Sequence, residues 1–262
     1  MQRILPIKDG NNFRELGGYE TTDGKTIKTH KVIRSGALNN LKSDDLAYLA
    51  KYGVKYDVDF RSNEECREKP DNLPSGTTYY WDPVLHFDEM DNTDTLATLQ
   101  NDFAQNKHIG YEHMISVYHN MIKKPDANQA YRKFFDYLLM NDQPRQCLLF
   151  HCTSGKDRTG IGAILLLSAL GVPENVIKQD YLLSNQTIQS VLTPLLQQVQ
   201  QKSHNNETLI TNIRNLLTVS EDYYQTAMDD IRDMSGNVIN YLHEVIKVTD
   251  DEIEQLRQIY LM

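Results

Sequence analysis

The feature that most constrains this chain is the decapeptide His-Cys-Thr-Ser-Gly-Lys-Asp-Arg-Thr-Gly at residues 151–160. The apolar run 146–150 before it is typical of a buried strand, and the apolar stretch from Ile161 to Leu170, closed by Gly171, is typical of a helix. A short loop between strand and helix points its backbone N–H groups and the positive end of the helix dipole at one spot. The decapeptide is therefore predicted to bind a phosphate group.

The residue types in this loop predict chemistry as well as binding. A cysteine at a helix N-terminus beside basic groups ionises more readily than a free one, so Cys152 is expected to be a thiolate at working pH. Arg158 carries a planar fork that can bind two phosphate oxygens, and Gly155 permits a turn where a side chain would obstruct the pocket. The sulfur would displace an alcohol and leave a thiophosphate ester for water to hydrolyse, with no metal or other cofactor.

Two other interpretations of the loop are weaker. A nucleotide-binding Walker loop needs Ser or Thr after its lysine and an additional glycine five positions before the second one, but Asp157 and Phe150 occupy these places. Alternatively, Cys152 is a small buried hydrophobic residue and Arg158 a surface charge. That interpretation requires the spacing, the glycine and the strand-loop-helix context to coincide by chance.

The decapeptide resembles the phosphate-binding loop of cysteine-dependent tyrosine phosphatases. The resemblance is to the bacterial branch that includes a secreted mycobacterial tyrosine phosphatase and a listerial lipid phosphatase. It extends over nearly the whole chain, through segments that agree in order and spacing: Asn12-Phe13-Arg14-Glu15-Leu16-Gly17-Gly18-Tyr19, Arg34-Ser35-Gly36, Asp59-Phe60-Arg61-Ser62 followed by Glu65, and Asp180-Tyr181-Leu182-Leu183-Ser184-Asn185.

This resemblance implies roles for residues of the loop. Cys152 would be the nucleophile, Arg158 the phosphate clamp, and Asp157 a residue on which this branch particularly depends. The implied substrates are phosphotyrosine proteins, with phosphoserine and phosphothreonine as further targets; phosphoinositides are an alternative, and a non-catalytic phosphate-recognition module is a more distant one. Further substrate contacts are implied for other positions of the loop, namely Thr153, Ser154, Gly155, Lys156 and Thr159.

The general acid is open among three aspartates. Asp157 is favoured because its sequence position alone fixes it near the phosphate. Asp82, in Trp81-Asp82-Pro83, has the residues of the mobile acid loop of larger tyrosine phosphatases in a different order, and Asp88 lies nearer to where this branch places a candidate acid. For Asp82 and Asp88, solvated loop charge is the favoured interpretation.

The order of predicted elements indicates an α/β fold with a mostly parallel central sheet flanked by helices, and residues 1–262 are predicted to form a single phosphatase domain. Strands are predicted at 31–34, 54–60, 77–81 and 146–150, with helices near 43–52, 110–121 and 127–140. Ser43 is predicted to cap the first of these helices. Cys152 then falls at the carboxyl end of its strand.

The chain is predicted to be wholly helical after Asn185. A break is expected at Gln197–Gln201 and residues 203–206, and a capping box at Thr249-Asp250-Asp251-Glu252 opens the last helix. Ordinary packing against the sheet is the favoured interpretation of these helices. The mycobacterial relative has a helical lid in this region, so a lid over residues 186–235 is the functional alternative.

Charge and cysteine content narrow the partners and the compartment. The net charge of −9 argues against nucleic acid and anionic membranes as partners, and mildly against phosphoinositides. The N-terminus has no apolar stretch of signal-peptide length, and no run of about eighteen apolar residues offers a stable membrane insertion. The chain has three cysteines, of which Cys147 is expected in the core, and this content fits a reducing cytoplasm. Export by an unconventional route and the oligomeric state are left open. His108 and His113 are not at metal-ligand spacing.

Overall fold

A mixed five-stranded sheet organises the computed structural model, which describes residues 3–85 and 102–262. The strand order is β1-β2-β5-β3-β4, with β1 antiparallel to β2 and the other neighbours parallel. The strands are β1 Arg14–Glu15, β2 Val32–Ser35, β3 Val54–Asp59, β4 Thr78–Trp81 and β5 Cys147–His151.

Helices surround this sheet. They include α1 Ser43–Tyr52, α2 Asn63–Glu68, α3 Ile109–Lys123, α4 Pro125–Met140, α5 Arg158–Leu170, α6 Glu174–Thr187, α7 Gln189–Lys202, α8 Glu207–Leu217, α9 Glu221–Ser235, α10 Val238–Tyr241 and α11 Asp250–Tyr260, with a π-helical turn at Leu242–Ile246. Residues 102–105 are also helical. None of the helices in the described part of the chain is both long and apolar enough to cross a bilayer.

The two faces of the sheet bury different apolar sets because side chains alternate along a strand. On β5, Cys147 and Leu149 join a small core under α1, whereas Leu148 and Phe150 join a larger core that extends to the C-terminal helices. Cys147 is thus a core residue, as predicted. Its sulfur belongs to the opposite core cluster from Cys152.

The parallel register brings the carboxyl ends of the strands to one edge. Ser35 of β2 and Asp59 of β3 both pair with His151, and Trp81 of β4 pairs with Asp59. Because β5 is the central strand, the loop that follows it lies in the middle of this edge. Cys152 therefore stands at the crevice where α/β folds place their ligands.

The fold class predicted from sequence is confirmed, and the element boundaries differ in detail. Helix α1 begins at Ser43, so its N-cap is Lys42, whose side chain makes no capping bond; the prediction that Ser43 caps it was wrong. Gln197–Gln201 lies inside α7, because only the polar residues 203–206 interrupt the helices. The capping box at Thr249 is confirmed.

Candidate active site

The phosphate loop joins the end of β5 to the start of α5. Cys152 directly follows His151, the last residue of the strand, and Arg158 is the first residue of the helix. The helix starts three residues earlier than its apolar pattern indicated, because Arg158, Thr159 and Gly160 form its first turn. The guanidinium group therefore belongs to a rigid element, and the helix N-terminus faces the loop.

Hydrogen bonds to carbonyl oxygens hold the loop from behind. Asn12 Nδ2 donates to the carbonyl oxygens of Ser154 at 3.0 Å and Gly155 at 2.8 Å. Arg34 Nη2 donates to the Gly155 oxygen at 2.8 Å. In a trans peptide the carbonyl and the following N–H point in opposite directions, so the amides of Gly155 and Lys156 face away from these anchors. This is the arrangement of an anion-binding nest.

Gly155 is required by the backbone behind the loop. Its φ is +67°, and a Cβ at this position would lie 2.1 Å from the carbonyl oxygen of Ser35 at the end of β2. The prediction that a side chain here would obstruct the pocket was wrong, since Gly155 does not line the cavity. The close approach of the loop to the neighbouring strand is the constraint.

Asp180 fixes the arginines that anchor the loop. Its carboxylate accepts from Arg14 Nε at 3.1 Å and from Arg34 Nη1 at 2.8 Å, and all three side chains are buried. Burial alone would raise the pKa of Asp180, but the two guanidinium groups outweigh it and lower that pKa to about 2. Three segments noted in the sequence, which contain Arg14, Arg34 and Asp180, therefore meet behind the loop.

Arg158 is oriented by Glu65. Its Nη1 and Nη2 donate to the two carboxylate oxygens at 2.6 and 2.7 Å, while its buried Nε has no hydrogen-bond partner in the described ranges. Burial would raise the pKa of Glu65, but Arg158, with hydrogen bonds from Thr153 and the Ser62 amide, lowers it to about 2. A guanidinium has five N–H donors, so the fork retains donors for a phosphate after binding Glu65.

Asp157 is buried and held by two partners. Its Oδ1 accepts from the hydroxyl of Tyr118 at 2.7 Å, and its Oδ2 accepts from Lys156 Nζ at 2.6 Å. Lys156 Nζ also lies 3.4 Å from the carbonyl oxygen of Thr218, just after α8. The loop is thereby connected to both α3 and the C-terminal helices.

A cavity of about 1110 Å³ extends over the loop. Cys152, Asp157 and Arg158 line it, as do Thr153, Ser154 and Lys156; Gly155 and Thr159 do not. Thr159 is buried in the first turn of α5, and its hydroxyl has no partner in the part of the chain described. The C-terminal helices contribute an apolar wall that includes Ile188, Leu192, Val199, Ile213 and Leu216. Helices α7 and α8 thus line the cavity over the loop, while Ile213 and Leu216 of α8 also belong to the core cluster that contains Leu148 and Phe150 of the sheet.

The other two acid candidates stand apart from this arrangement. Asp88 lies outside the described residues. Asp82 does not line the cavity; it follows β4, is 1% exposed, and neither carboxylate oxygen has a hydrogen-bond partner in the described structure. The interpretation of Asp82 as a solvated loop charge was wrong, because the chain buries it beside α4, where Lys133 Nζ lies 3.8 Å away.

Burial of Asp82 predicts a pH-dependent stability. Burial raises its pKa to about 7, with Lys133 opposing and Asp136 adding to the shift, whereas the unfolded chain releases this proton near its ordinary pKa of about 4. The folded state thus binds the extra proton between about pH 4 and 7, and stability falls as the pH rises through that window. We expect Asp82→Asn to raise Tm above about pH 8 and to leave it unchanged near pH 4. A variant with the same Tm as the parent at both pH values would contradict this.

A buried charge cluster lies behind Cys152. His151 Nδ1 is 3.3 Å from the Cys152 carbonyl oxygen, and its Nε2 is 3.3 Å from carboxylate oxygens of Asp57 and Asp71. Burial opposes protonation, but the carboxylates of Asp59, Asp57 and Asp71 outweigh it and raise the pKa of His151. Arg61 pairs with Asp59 at 2.7 Å and with Asp71. The Asp59–Arg61 ion pair is therefore part of this cluster.

Within the described residues, three members of this cluster have the side chains and the spacing that could hold a metal ion. Donor atoms of Asp57, Asp71 and His151 lie within 4.8 Å of one another. Two cations, the protonated His151 and Arg61, face three carboxylates, and burial raises the pKa of one of these, Asp57. The cluster thus holds its own cations where a metal ion would bind. We assign it to the support of the strand end.

Several site residues were not identified from sequence. Glu65 was quoted only as part of a family segment, although Ser62 and Glu65 have the spacing of a capping box that places Glu65 at the start of α2. Asn12 and Arg34 were likewise given no role. No sequence pattern pointed to Tyr118, because its hydroxyl reaches Asp157 only through tertiary packing.

Comparison with known proteins agrees with this geometry. A model of the tyrosine phosphatase family matches residues 5–262. A Cupriavidus necator protein assigned as a tyrosine-protein phosphatase is 30% identical over 261 residues, covering 96% of this chain and 86% of that protein. The triple specificity protein phosphatase PtpB of Mycobacterium tuberculosis is 25% identical over 274 residues, covering 95% of this chain and 96% of that protein. A tyrosine-protein phosphatase of Nostoc commune is 30% identical over 160 residues, covering 60% of this chain and 49% of that protein.

Proposed function

The chain belongs to the tyrosine phosphatase family, and from this premise we propose that it hydrolyses phosphotyrosine in proteins, with phosphoserine and phosphothreonine as further substrates. The observation that carries the proposal is the position of Cys152 and Arg158 together at the base of one cavity, at the two ends of a loop whose carbonyls are held from behind. A module that only recognises phosphate would need the amides and the arginine but has no use for the thiol.

The reaction proceeds in two displacements at phosphorus. Cys152 Sγ attacks phosphorus, the bond from phosphorus to the ester oxygen breaks, and that oxygen takes a proton to leave as a phenol or alcohol. Water then attacks the cysteinyl phosphate, and its attack releases inorganic phosphate and the thiolate. Arg158 stabilises the phosphoryl oxygens in both steps, since Glu65 fixes the plane of its fork.

The proton donor in this proposal is Asp157. Among the two candidates that lie in the described ranges, Asp157 lines the cavity with Cys152 and Asp82 does not. The same carboxylate would accept a proton from water in the second step.

We expect Asp157→Asn to slow substrates with poor leaving groups far more than nitrophenyl phosphate, because nitrophenolate leaves without protonation. The loss on poor leaving groups should be on the order of a hundredfold, as for removal of a general acid. The measurement is kcat over a series of aryl phosphates, plotted as log kcat against the pKa of the leaving phenol. Asp82→Asn is the matched control and should keep the slope of the parent enzyme in this plot. An equal loss on every substrate would show that Asp157 only orders the loop.

A second candidate substrate class is suggested by the apolar wall. A phosphorylated lipid could place its hydrocarbon part against Leu192, Val199 and Ile213 while its phosphate occupies the loop. The net charge of −9 opposes binding at an anionic membrane surface. Assays of purified protein on a panel of phosphopeptides and soluble phosphoinositides, with EDTA present, test the choice; faster turnover of the lipids would make them the substrates.

Two organisational proposals accompany the function. The chain forms one phosphatase domain, which is supported by a core cluster that runs from Leu16 to Leu261. The helices within 186–235 act as a lid, which is supported by the position of α7 and α8 on the cavity wall.

The free state of Cys66, Cys147 and Cys152 supports a cytoplasmic location.

A further inference from the structure

Two tyrosine hydroxyls connect the interior of the protein to Asp157. The Tyr118 hydroxyl on α3 donates to Asp157 Oδ1 at 2.7 Å and lies 2.6 Å from the hydroxyl of Tyr181 on α6. Because a hydroxyl has one hydrogen and Tyr118 uses it on Asp157, Tyr181 is the donor in the second bond. The chain of bonds therefore runs from Tyr181 to Tyr118 to Asp157, and both rings are fully buried.

These hydroxyls remain neutral donors. Burial, with Asp157 as a further cause, raises the pKa of both Tyr118 and Tyr181 well above the ordinary value for tyrosine. The second oxygen of Asp157 accepts from Lys156, which belongs to the loop itself. The carboxyl group is thus held between the loop and the body of the fold, and it cannot rotate without breaking one of these bonds.

We propose that Tyr118 and Tyr181 are positioning residues that hold the Asp157 carboxyl group in its orientation beside the reacting phosphate. The inference rests on the proposed function, in which Asp157 acts on that phosphate. Without the Tyr118 hydroxyl, Lys156 would be the remaining partner of the carboxylate and would draw it toward a simple ion pair. The chemistry would slow, while the loop that binds phosphate would keep its shape.

A neighbouring tyrosine provides a matched control. Tyr224 is buried, its ring centroid lies 5.5 Å from that of Tyr181, and its hydroxyl has no hydrogen-bond partner in the described part of the chain. Tyr224→Phe removes the same atom from the same core without touching the chain of bonds. A buried hydroxyl without a partner contributes nothing that its loss could remove.

The first test is steady-state kinetics on aryl phosphates. Tyr118→Phe should lower kcat on poor leaving groups about tenfold or more, because the Asp157 carboxyl group loses one of the two hydrogen bonds that orient it, with KM unchanged. Tyr181→Phe should act in the same direction with a smaller loss, and it serves if Tyr118→Phe does not fold. Tyr224→Phe should match the parent. Equal kcat values for all three variants would overturn the proposal.

The second test separates action through Asp157 from independent action. In an Asp157→Asn background, with the same poor-leaving-group aryl phosphate as substrate, Tyr118→Phe should cause no further loss. The affinity for inorganic phosphate, measured by calorimetry in Cys152→Ser protein, needs no turnover and should not change with Tyr118→Phe, because the loop keeps its shape. An undiminished effect without Asp157 would overturn the inference. Inactivity of the parent enzyme would instead refute the proposed function.

Discussion

Replacing Cys152 with serine is expected to abolish turnover of every phosphate ester while the fold and the affinity for inorganic phosphate are retained. The hydroxyl is isosteric with the thiol to within a fraction of an ångström, so the loop held by Asn12 and Arg34 keeps its shape. A serine hydroxyl is a far weaker acid than a thiol and stays protonated at working pH, so it cannot attack phosphorus as the thiolate does.

The Cys152→Ser experiment has a control within the same strand. Cys147 is buried in the core cluster opposite to that of Cys152, so Cys147→Ala should retain kcat with some loss of stability. Thermal unfolding and phosphate titration show whether each variant is folded and binds. Turnover by Cys152→Ser at a rate comparable to the parent would refute the proposed mechanism.

Arg158→Lys is expected to lose about a hundredfold or more in kcat although the charge is kept. The guanidinium binds both oxygens of Glu65 and retains donors for the phosphate, whereas one ammonium group cannot span two phosphoryl oxygens and a carboxylate at once. The loss should appear mainly in kcat, because charge builds on the phosphoryl oxygens in the transition state.

A surface arginine provides the control for this substitution. Arg132 binds Glu252 at 2.7 Å on the outside of α4, away from the cavity, and Arg132→Lys should retain full activity. A decrease smaller than about tenfold for Arg158→Lys would show that this residue is not the clamp.

The strands β2 to β5 and the phosphate loop could be predicted from sequence because their signals are local, whereas β1, with two residues, has no such pattern. The apolar run before Cys152 marks β5, and Gly171, with φ +84°, ends α5 where predicted. The start of α5 was placed late because Arg158, Thr159 and Gly160 carry no apolar periodicity. Helix boundaries depend on backbone hydrogen bonds that such residues also make.

The partners of the loop could not be predicted because they come from distant parts of the chain. Asn12 and Glu65 contact the loop only once the sheet places β1 and β2 on one side of β5 and β3 on the other. Asp82 was misread for a related reason: a charged residue beside a proline is usually exposed, and only the tertiary packing of α4 shows that it is buried.

The most direct test of the account is to trap the covalent intermediate. Purified protein mixed with an aryl phosphate, quenched rapidly in acid and analysed by peptide mass spectrometry should carry one phosphoryl group on Cys152, and Asp157→Asn should accumulate more of it if hydrolysis of the intermediate slows. Continued turnover with no phosphoryl group on Cys152, or with the group on another residue, would contradict the central claim.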